Sequence, residues 1–256
     1  MGEPLLRTEG LTVVFGGLRA LDGLDLTVRE GEIIGLIGPN GAGKTTAFNA
    51  ITGFIKPAGG RVIFRGRSIT GNPPWMIAQS GIARTFQNIR LYADLTVLEN
   101  VMVAGHCSIS YSFVEAILGV GRLKRDEKAV RAKGEHLLEF MGLADVAREK
   151  ASSLPYGSRR KLEVARALAL DPGLLLLDEP VAGMNPMETI DFGELVGKLR
   201  MNSSLSILLI DHDMRFVMDV CERIRVLEYG MPIAWGTPSE IQNNERVIEA
   251  YLGQEH

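Results

Sequence analysis

The sequence predicts an α/β fold. It has a mostly parallel core sheet, an antiparallel β layer near the N-terminus and an inserted helical subdomain, and three patterns in its 256 residues carry this. The apolar runs Ile33-Ile34-Gly35-Leu36-Ile37, Leu174 to Leu177 and Leu205-Ser206-Ile207-Leu208-Leu209-Ile210 show no alternation, as strands buried on both faces do not. Leu24, Leu26 and Val28 alternate with Asp25, Thr27 and Arg29, and Val62 and Phe64 repeat that period of two. The pattern predicts half-buried strands of an antiparallel layer, with Gly59-Gly60 as its turn. From about Val97 to Lys150, Val130, Leu137, Leu138 and Met141 fall on one helical stripe among Lys, Arg and Glu, which marks the helical lobe.

Gly38-Pro39-Asn40-Gly41-Ala42-Gly43-Lys44-Thr45-Thr46 follows the first apolar run directly and reads as a phosphate-binding loop, so the fold class is that of a P-loop NTPase. Its glycines let backbone N–H groups curl round a phosphate, and the helix that opens behind them points its positive pole inward. Lys44 adds a full charge for the β- and γ-phosphates of a nucleoside triphosphate. The Thr45 hydroxyl is an oxygen ligand for Mg²⁺.

In an open parallel sheet, ligands sit beyond the carboxyl ends of the strands. Asp178 and Glu179 follow the Leu174 run, with Asp178 expected to hold Mg²⁺ and Glu179 to orient or deprotonate the attacking water. Ile210 is followed by Asp211-His212-Asp213, which would bring His212 to a γ-phosphate.

Composition bounds the remaining classes. A net charge of -3, with no block of five like charges, leaves no electrostatic footprint for nucleic acid or an anionic membrane. Arg159-Arg160-Lys161 is the densest basic run and reads as a solvated helix face. Cys107 and Cys221 lack metal-ligand spacing, so reduced, mostly buried thiols of a cytosolic protein are expected and no zinc site is. No basic segment leads into an apolar leader, and no window approaches 18 apolar residues; any membrane role is expected to come through a partner.

Together these segments resemble the ATP-binding cassette (ABC) ATPases over nearly the whole chain. The resemblance implies that Phe15 stacks on adenine, that Gln87 in Thr85-Phe86-Gln87-Asn88 senses Mg²⁺ and the transmembrane partner, and that His212 is the switch histidine. Leu154-Pro155-Tyr156-Gly157-Ser158 stands where the family carries its Leu-Ser-Gly-Gly-Gln signature. Pro155 replaces the serine, Tyr156 the first glycine and Ser158 the glutamine, while Gly157 keeps its place. Val181-Ala182-Gly183-Met184-Asn185-Pro186 takes the D-loop position.

Within the family the chain is similar to the ATPase subunit of branched-chain amino acid importers. The likeness lies in Gly81-Ile82-Ala83-Arg84-Thr85-Phe86-Gln87-Asn88-Ile89-Arg90-Leu91, in Tyr156-Gly157 and in Arg246-Val247-Ile248-Glu249-Ala250-Tyr251-Leu252-Gly253. Urea or amide uptake and lipopolysaccharide export are the alternatives, and a soluble nucleic-acid-associated ATPase is a remote one. The resemblance implies one cassette of residues 1–256. Residues 1–90 and 155–240 form its nucleotide-binding core, 91–154 the helical subdomain and 241–256 a C-terminal helix or tail. It also implies ATP and Mg²⁺ as cofactors, two membrane-spanning permease subunits and a second cassette, expected to be a different chain. A periplasmic or extracellular solute-binding protein acts indirectly, no nucleic acid partner is implied, and the peripheral location is the cytoplasmic face of the cell membrane.

Overall fold

The computed structural model describes residues 3–107, 120–202 and 204–252. The elements run β1 (Leu6–Phe15), β2 (Leu18–Val28), β3 (Ile33–Ile37), α1 (Lys44–Ile51), β4 (Gly59–Phe64), β5 (Arg67–Ser68), α2 (Pro74–Gln79) and β6 (Ile82–Arg84). Then follow α3 (Val97–Cys107), α4 (Val120–Phe140), a 3₁₀ turn at Ala151–Ser153, α5 (Tyr156–Leu168), β7 (Leu174–Asp178) and α6 (Pro186–Asn202). The chain continues through β8 (Ser206–Ile210), α7 (Met214–Val220), β9 (Arg223–Glu228), β10 (Met231–Gly236), α8 (Pro238–Gln242) and α9 (Glu245–Leu252). Two compact units result, Met1–Gln87 with Gly173–His256, and Asn88–Pro172.

In the first unit a six-stranded sheet has the order β10-β9-β3-β8-β7-β6. Strands β3, β7 and β8, the three unbroken apolar runs, are buried at every residue. Each pair from β9 to β6 is parallel, and β10 adds antiparallel at the edge. The register Leu177↔Leu209 and Asp178↔Ile210 brings the segments after β7 and β8 out side by side. Because β3 and β6 run the same way, the segments that follow them leave from that edge too.

The second sheet, β2-β1-β4-β5, is antiparallel. Leu24, Leu26, Val28, Val62 and Phe64 are buried in it, as their alternation predicts. Gly59-Gly60, however, is not a turn: both glycines open β4, and β2 and β4 never pair with each other. Each pairs instead with β1, a strand the alternation did not reveal because register shifts interrupt its period of two. Gly60 sits where β4 meets such an irregularity, with φ +79 and no room for a Cβ, which would lie 2.3 Å from the Gly10 carbonyl oxygen.

In the Asn88–Pro172 unit the helical stripe is real: Val130, Leu138 and Met141 are buried and Leu137 is half-buried. Small residues let α3 and α4 approach, since a Cβ on Gly134 would lie 3.0 Å from Leu98 Cδ1. Helix α5 packs on α3 and α4, and so this unit extends to Pro172, beyond the helical subdomain of 91–154 drawn from sequence.

The basic run is not a solvated face. Arg160 is buried and pairs with Glu163 at 3.1 Å, while Arg159 donates to the carbonyls of Leu154 and Ser152 at 2.8 and 2.7 Å. Those carbonyls needed donors, and the neighbouring guanidinium supplies them. Cys221 is buried and its thiol pKa is pushed up by that burial; the Cys107 side chain lies outside the described residues.

Gly60→Ala should cost about 2 kcal/mol or more, because the Cβ strikes backbone and the left-handed φ disfavours it. Gly16→Ala, at φ +52 but with nothing within 4 Å of its Cβ, is the control for backbone conformation alone. Urea unfolding should separate the two midpoints; equal losses would show that the contact with Gly10 is unimportant.

Candidate functional site

The loop after β3 is built by backbone against backbone. Gly38 has φ +148 and a Cβ there would lie 2.1 Å from the Leu227 carbonyl oxygen. Gly43, at φ +99, ends the loop as the N-cap of α1, and its Cβ would lie 2.5 Å from the Ala20 carbonyl oxygen. Neither position takes a side chain, so the loop threads between β9 and β2 at a fixed height. The turn after β9 holds it from below: Gly230 N donates to Ala42 O at 3.1 Å, and Asp22 N donates to Gly230 O at 2.9 Å.

Within the loop Pro39 and Ala42 are buried, Thr46 is half-buried, and Asn40, Gly41 and Thr45 are exposed. The Lys44 ammonium is buried and donates to the carbonyls of Gly38 and Pro39 at 2.6 and 2.8 Å. Burial lowers its pKa from the ordinary lysine value, and the Glu179 charge opposes that shift. An exposed loop with a helix N-terminus and an ammonium behind it fits a phosphate chain.

Phe15 ends β1 at the Gly16-Gly17 turn and is 48 % exposed, facing Leu18 across the hairpin. An aromatic left on the surface is not core packing. Ala20, which touches the loop at Gly43, lies a little further along β2, so Phe15 is on the hairpin that borders the phosphate loop.

Glu179 gathers the remaining groups. Its Oε2 accepts from Gln87 Nε2 at 2.7 Å, and its Oε1 lies 2.8 Å from His212 Nε2, so the Nε2–H tautomer of the imidazole donates to it. The Glu179 backbone is left-handed, with φ +49, a strain of about 1–3 kcal/mol for a residue with a side chain. A bond from Glu179 N to Ile210 O at 2.8 Å holds it there. Asp211 is buried and accepts from the backbone N–H groups of Val181, His212 and Asp213 at 3.2, 2.7 and 2.9 Å, tying the chain after Glu179 to the chain after β8. Burial raises the Asp211 carboxyl pKa, and these bonds pull it back. The structure therefore brings Gln87, Glu179 and His212 together on the edge that carries the Lys44 loop.

Tyr156 and Gly157 belong to the other unit. Pro155 is the N-cap of α5 and offers no side-chain bond; Tyr156 is exposed and Gly157 is buried.

Residues 21–182 match the family model described as ABC transporter, and residues 232–256 match that of the branched-chain amino acid ATP-binding cassette transporter. The chain belongs to the ABC transporter family. This cassette is 46 % identical over 254 residues to the high-affinity branched-chain amino acid transport ATP-binding protein LivG of Salmonella typhimurium, covering 99 % of this chain and 100 % of the relative. To the lipopolysaccharide export system ATP-binding protein LptB of Haemophilus influenzae it is 35 % identical, covering 98 % of each. A crystal structure of an ATP-binding cassette of an ABC transporter in its ADP conformation superposes with a TM-score of 0.86 at 33 % identity, covering 99 % of this chain and 100 % of the other.

Mg²⁺ is implied by the cassette, and the donor set suits it. The Thr45 hydroxyl, the Asp178 carboxylate and the Gln87 amide oxygen are hard ligands. Among the described residues no group of three or more His, Cys, Asp or Glu is placed to hold a metal alone. A cation that keeps most of its waters and shares its charge with phosphates needs no such cage.

Arg84 is the residue that sequence reasoning passed over. Its guanidinium donates from Nη2 to Asp178 Oδ2 at 2.7 Å and from Nη1 to Asn49 Oδ1 and Thr52 Oγ1 at 2.8 and 3.1 Å. The rings of Phe48, Phe54 and Phe86 lie around it, with centroids 5.4, 5.9 and 5.1 Å away. Arg84 thus ties α1, which carries Lys44 and Thr45, to the strand that ends in Asp178. It precedes Gln87 by one short segment, but a lone arginine beside a motif gives no sign of burial.

Arg84→Met should destabilise the cassette by about 3–5 kcal/mol, since it leaves the Asp178 carboxylate buried without its cation. Arg84→Met combined with Asp178→Asn should cost clearly less than the sum of the two single variants. A double-mutant cycle by urea unfolding measures this, and strict additivity would dismiss the coupling.

Proposed function

We propose that this chain is the ATP-hydrolysing subunit of a membrane importer for branched-chain amino acids. The clustering of Gln87, Glu179 and His212 beside the Lys44 loop carries the hydrolytic reading. The solute class rests on the greater likeness to LivG than to LptB and on the match of residues 232–256. No helix among the described residues is long and apolar enough to cross a membrane. Membership of the ABC transporter family supports membrane permease partners. We place it at the cytoplasmic face, under two permease subunits that receive solute from a periplasmic or extracellular binding protein.

Each residue then has a task. Phe15 stacks on adenine, and the loop from Gly38 to Thr46 wraps the phosphates with backbone N–H groups. Lys44 Nζ turns from the loop carbonyls to the β- and γ-phosphate oxygens. Bound Mg²⁺, held by Thr45, Gln87 and Asp178, would spread the negative charge of the phosphates. Glu179 accepts a proton from the attacking water as its oxygen bonds to the γ-phosphorus and the bond to ADP breaks, giving ADP and phosphate. His212 fixes the carboxylate of that base and reaches the γ-phosphate. Gln87 senses whether the permease is engaged.

The signature residues Tyr156 and Gly157 close the site of an opposing cassette. Moving an open and closed equilibrium from 1:99 to 99:1 takes about 5.5 kcal/mol, and a few charge-assisted hydrogen bonds to γ-phosphate at about 1.5–3 kcal/mol each supply it. Pro155 cannot donate the hydroxyl bond of a serine signature. A homodimer would lack it twice, which favours pairing with a different cassette that has the serine.

Lys44→Ala should abolish both ATP binding and turnover, read with a fluorescent ATP analogue and phosphate release. Glu179→Gln should keep binding while hydrolysis falls about 10²–10⁴-fold, and His212→Ala should slow turnover at unchanged affinity. Equal loss of binding in either would reassign the residue. In vesicles containing the permease, a binding protein loaded with leucine, isoleucine or valine should raise ATPase, and stimulation by urea alone would overturn the solute class.

Pro155→Ser in the Glu179→Gln background should strengthen ATP-driven self-association about 10- to 150-fold in analytical ultracentrifugation. A tight ATP-dependent homodimer with Pro155 intact, its affinity unchanged by Pro155→Ser, would remove the case for a different partner cassette.

A further inference from the structure

Away from the phosphate loop, a cleft of about 160 Å³ opens at the edge where β2 meets β9 and β10, lined by Thr27, Arg29, Arg223, Arg225 and Trp235. We propose that this cleft is a second anion site, built for a single phosphate group and separate from the ATP site.

Of the three charges there, Arg29 pairs with Glu32 and two are left over by the fold. Among the described residues neither Arg223 nor Arg225 forms an ion pair; their guanidinium carbons lie 5.8 and 4.8 Å from the centroid of Trp235. Arg225 Nε is fully buried and makes no hydrogen bond. Burial also lowers the pKa of Arg225, with the Asp25 charge opposing the shift. A half-buried guanidinium whose Nε has lost water and gained no acceptor carries a desolvation cost that an anion would reduce.

The nearby carboxylates Asp25 and Glu240 act on Arg225 and Arg223 through charge alone, their hydrogen bonds going to other donors. Asp25 Oδ1 accepts from Gly10 N at 2.7 Å, and Glu240 Oε2 accepts from Thr237 N and Oγ1 at 2.7 and 3.0 Å. Glu32 pairs with Arg29 alone, at 3.2 Å. The Nε atoms of Arg84 and Arg160 are likewise buried without a hydrogen bond, so what sets Arg225 apart is the lack of a paired carboxylate, which Asp178 and Glu163 supply to the other two.

Size and place narrow the ligand. At about 30 Å³ per water the cleft holds the equivalent of roughly five waters, enough for a tetrahedral oxyanion and part of its hydration but not for a nucleotide. Thr27 lies seven residues beyond Ala20 on β2, or about 23 Å along the strand from the point where β2 touches the phosphate loop. Two guanidinium groups stacked on an indole, with a third and a hydroxyl beside them, suit a phosphate group, whether free or on a lipid headgroup.

Trp235 reports on the site directly, because the chain has only 2 tryptophans and the other, Trp75, is exposed. The full chain carrying Trp75→Phe, to leave a single reporter, and Lys44→Ala, to silence the phosphate loop, is titrated with inorganic phosphate and pyrophosphate at low salt while Trp235 emission is followed. Flotation with phosphatidylcholine vesicles, with and without phosphatidic acid, forms the second arm. The proposal expects a saturable change with phosphate, or arginine-dependent flotation with phosphatidic acid alone. The first outcome identifies a free anion and the second a lipid headgroup. Arg223→Gln with Arg225→Gln should weaken either by about tenfold or more, and Arg225→Lys should recover part of it. Circular dichroism checks the fold, and Arg223→Gln alone, at an exposed guanidinium, serves where the double variant loses it. No saturable change with phosphate and no arginine-dependent flotation would overturn the site, as would binding that ignores both arginines.

Discussion

Parallel pairing of β3, β8, β7 and β6 is the constraint on which the rest depends. Parallel strands send their carboxyl ends to one edge, so four segments far apart in sequence, led by Gly38, Gln87, Glu179 and Asp211, leave the sheet together. The unbroken apolar runs enforce this arrangement, because a strand with no polar face must be covered on both sides. Slip β7 against β8 by one residue and every side chain changes face, and Glu179 loses the Ile210 carbonyl that holds its backbone.

Glu179 shows what that scaffold supports. A non-glycine residue in the left-handed region costs stability, and it persists here because its N–H, both carboxylate oxygens and the buried Asp211 beside it all have partners. The two side chains that hold the carboxylate come from different places, Gln87 from after β6 and His212 from after β8. A shift of either segment therefore changes the bonding of the carboxylate without any change in Glu179 itself. On the function we propose, a permease that pushes on the Gln87 segment would reach the chemistry in this way.

What the sequence made legible followed from strong local patterns. Continuous apolar runs identified β3, β7 and β8, and the carboxylates and histidine that follow two of them marked the edge where the site lies. Interrupted patterns hid the rest. The register shifts of β1 concealed a whole strand and led Gly59-Gly60 to be read as a turn. Arg159 and Arg160 look like surface charge because a basic run in sequence does not show the carbonyls of Ser152 and Leu154, or Glu163, that neutralise it. Arg84 was missed for the same reason, since its partners Asn49, Thr52 and Asp178 are joined only by the fold.

Arginine burial therefore has to be read through the partner rather than the exposure. Arg84 and Arg160 each meet a carboxylate, and their guanidinium groups act as fixed struts: moving one would leave two charges unpaired in a poor solvent. Arg225 lies over an indole face, which stabilises a cation weakly, and its buried Nε has no acceptor. The protein tolerates that cost at the sheet edge because water still reaches the cleft. The same incompleteness that would be a defect in the core leaves one buried donor at the cleft without an acceptor from the chain.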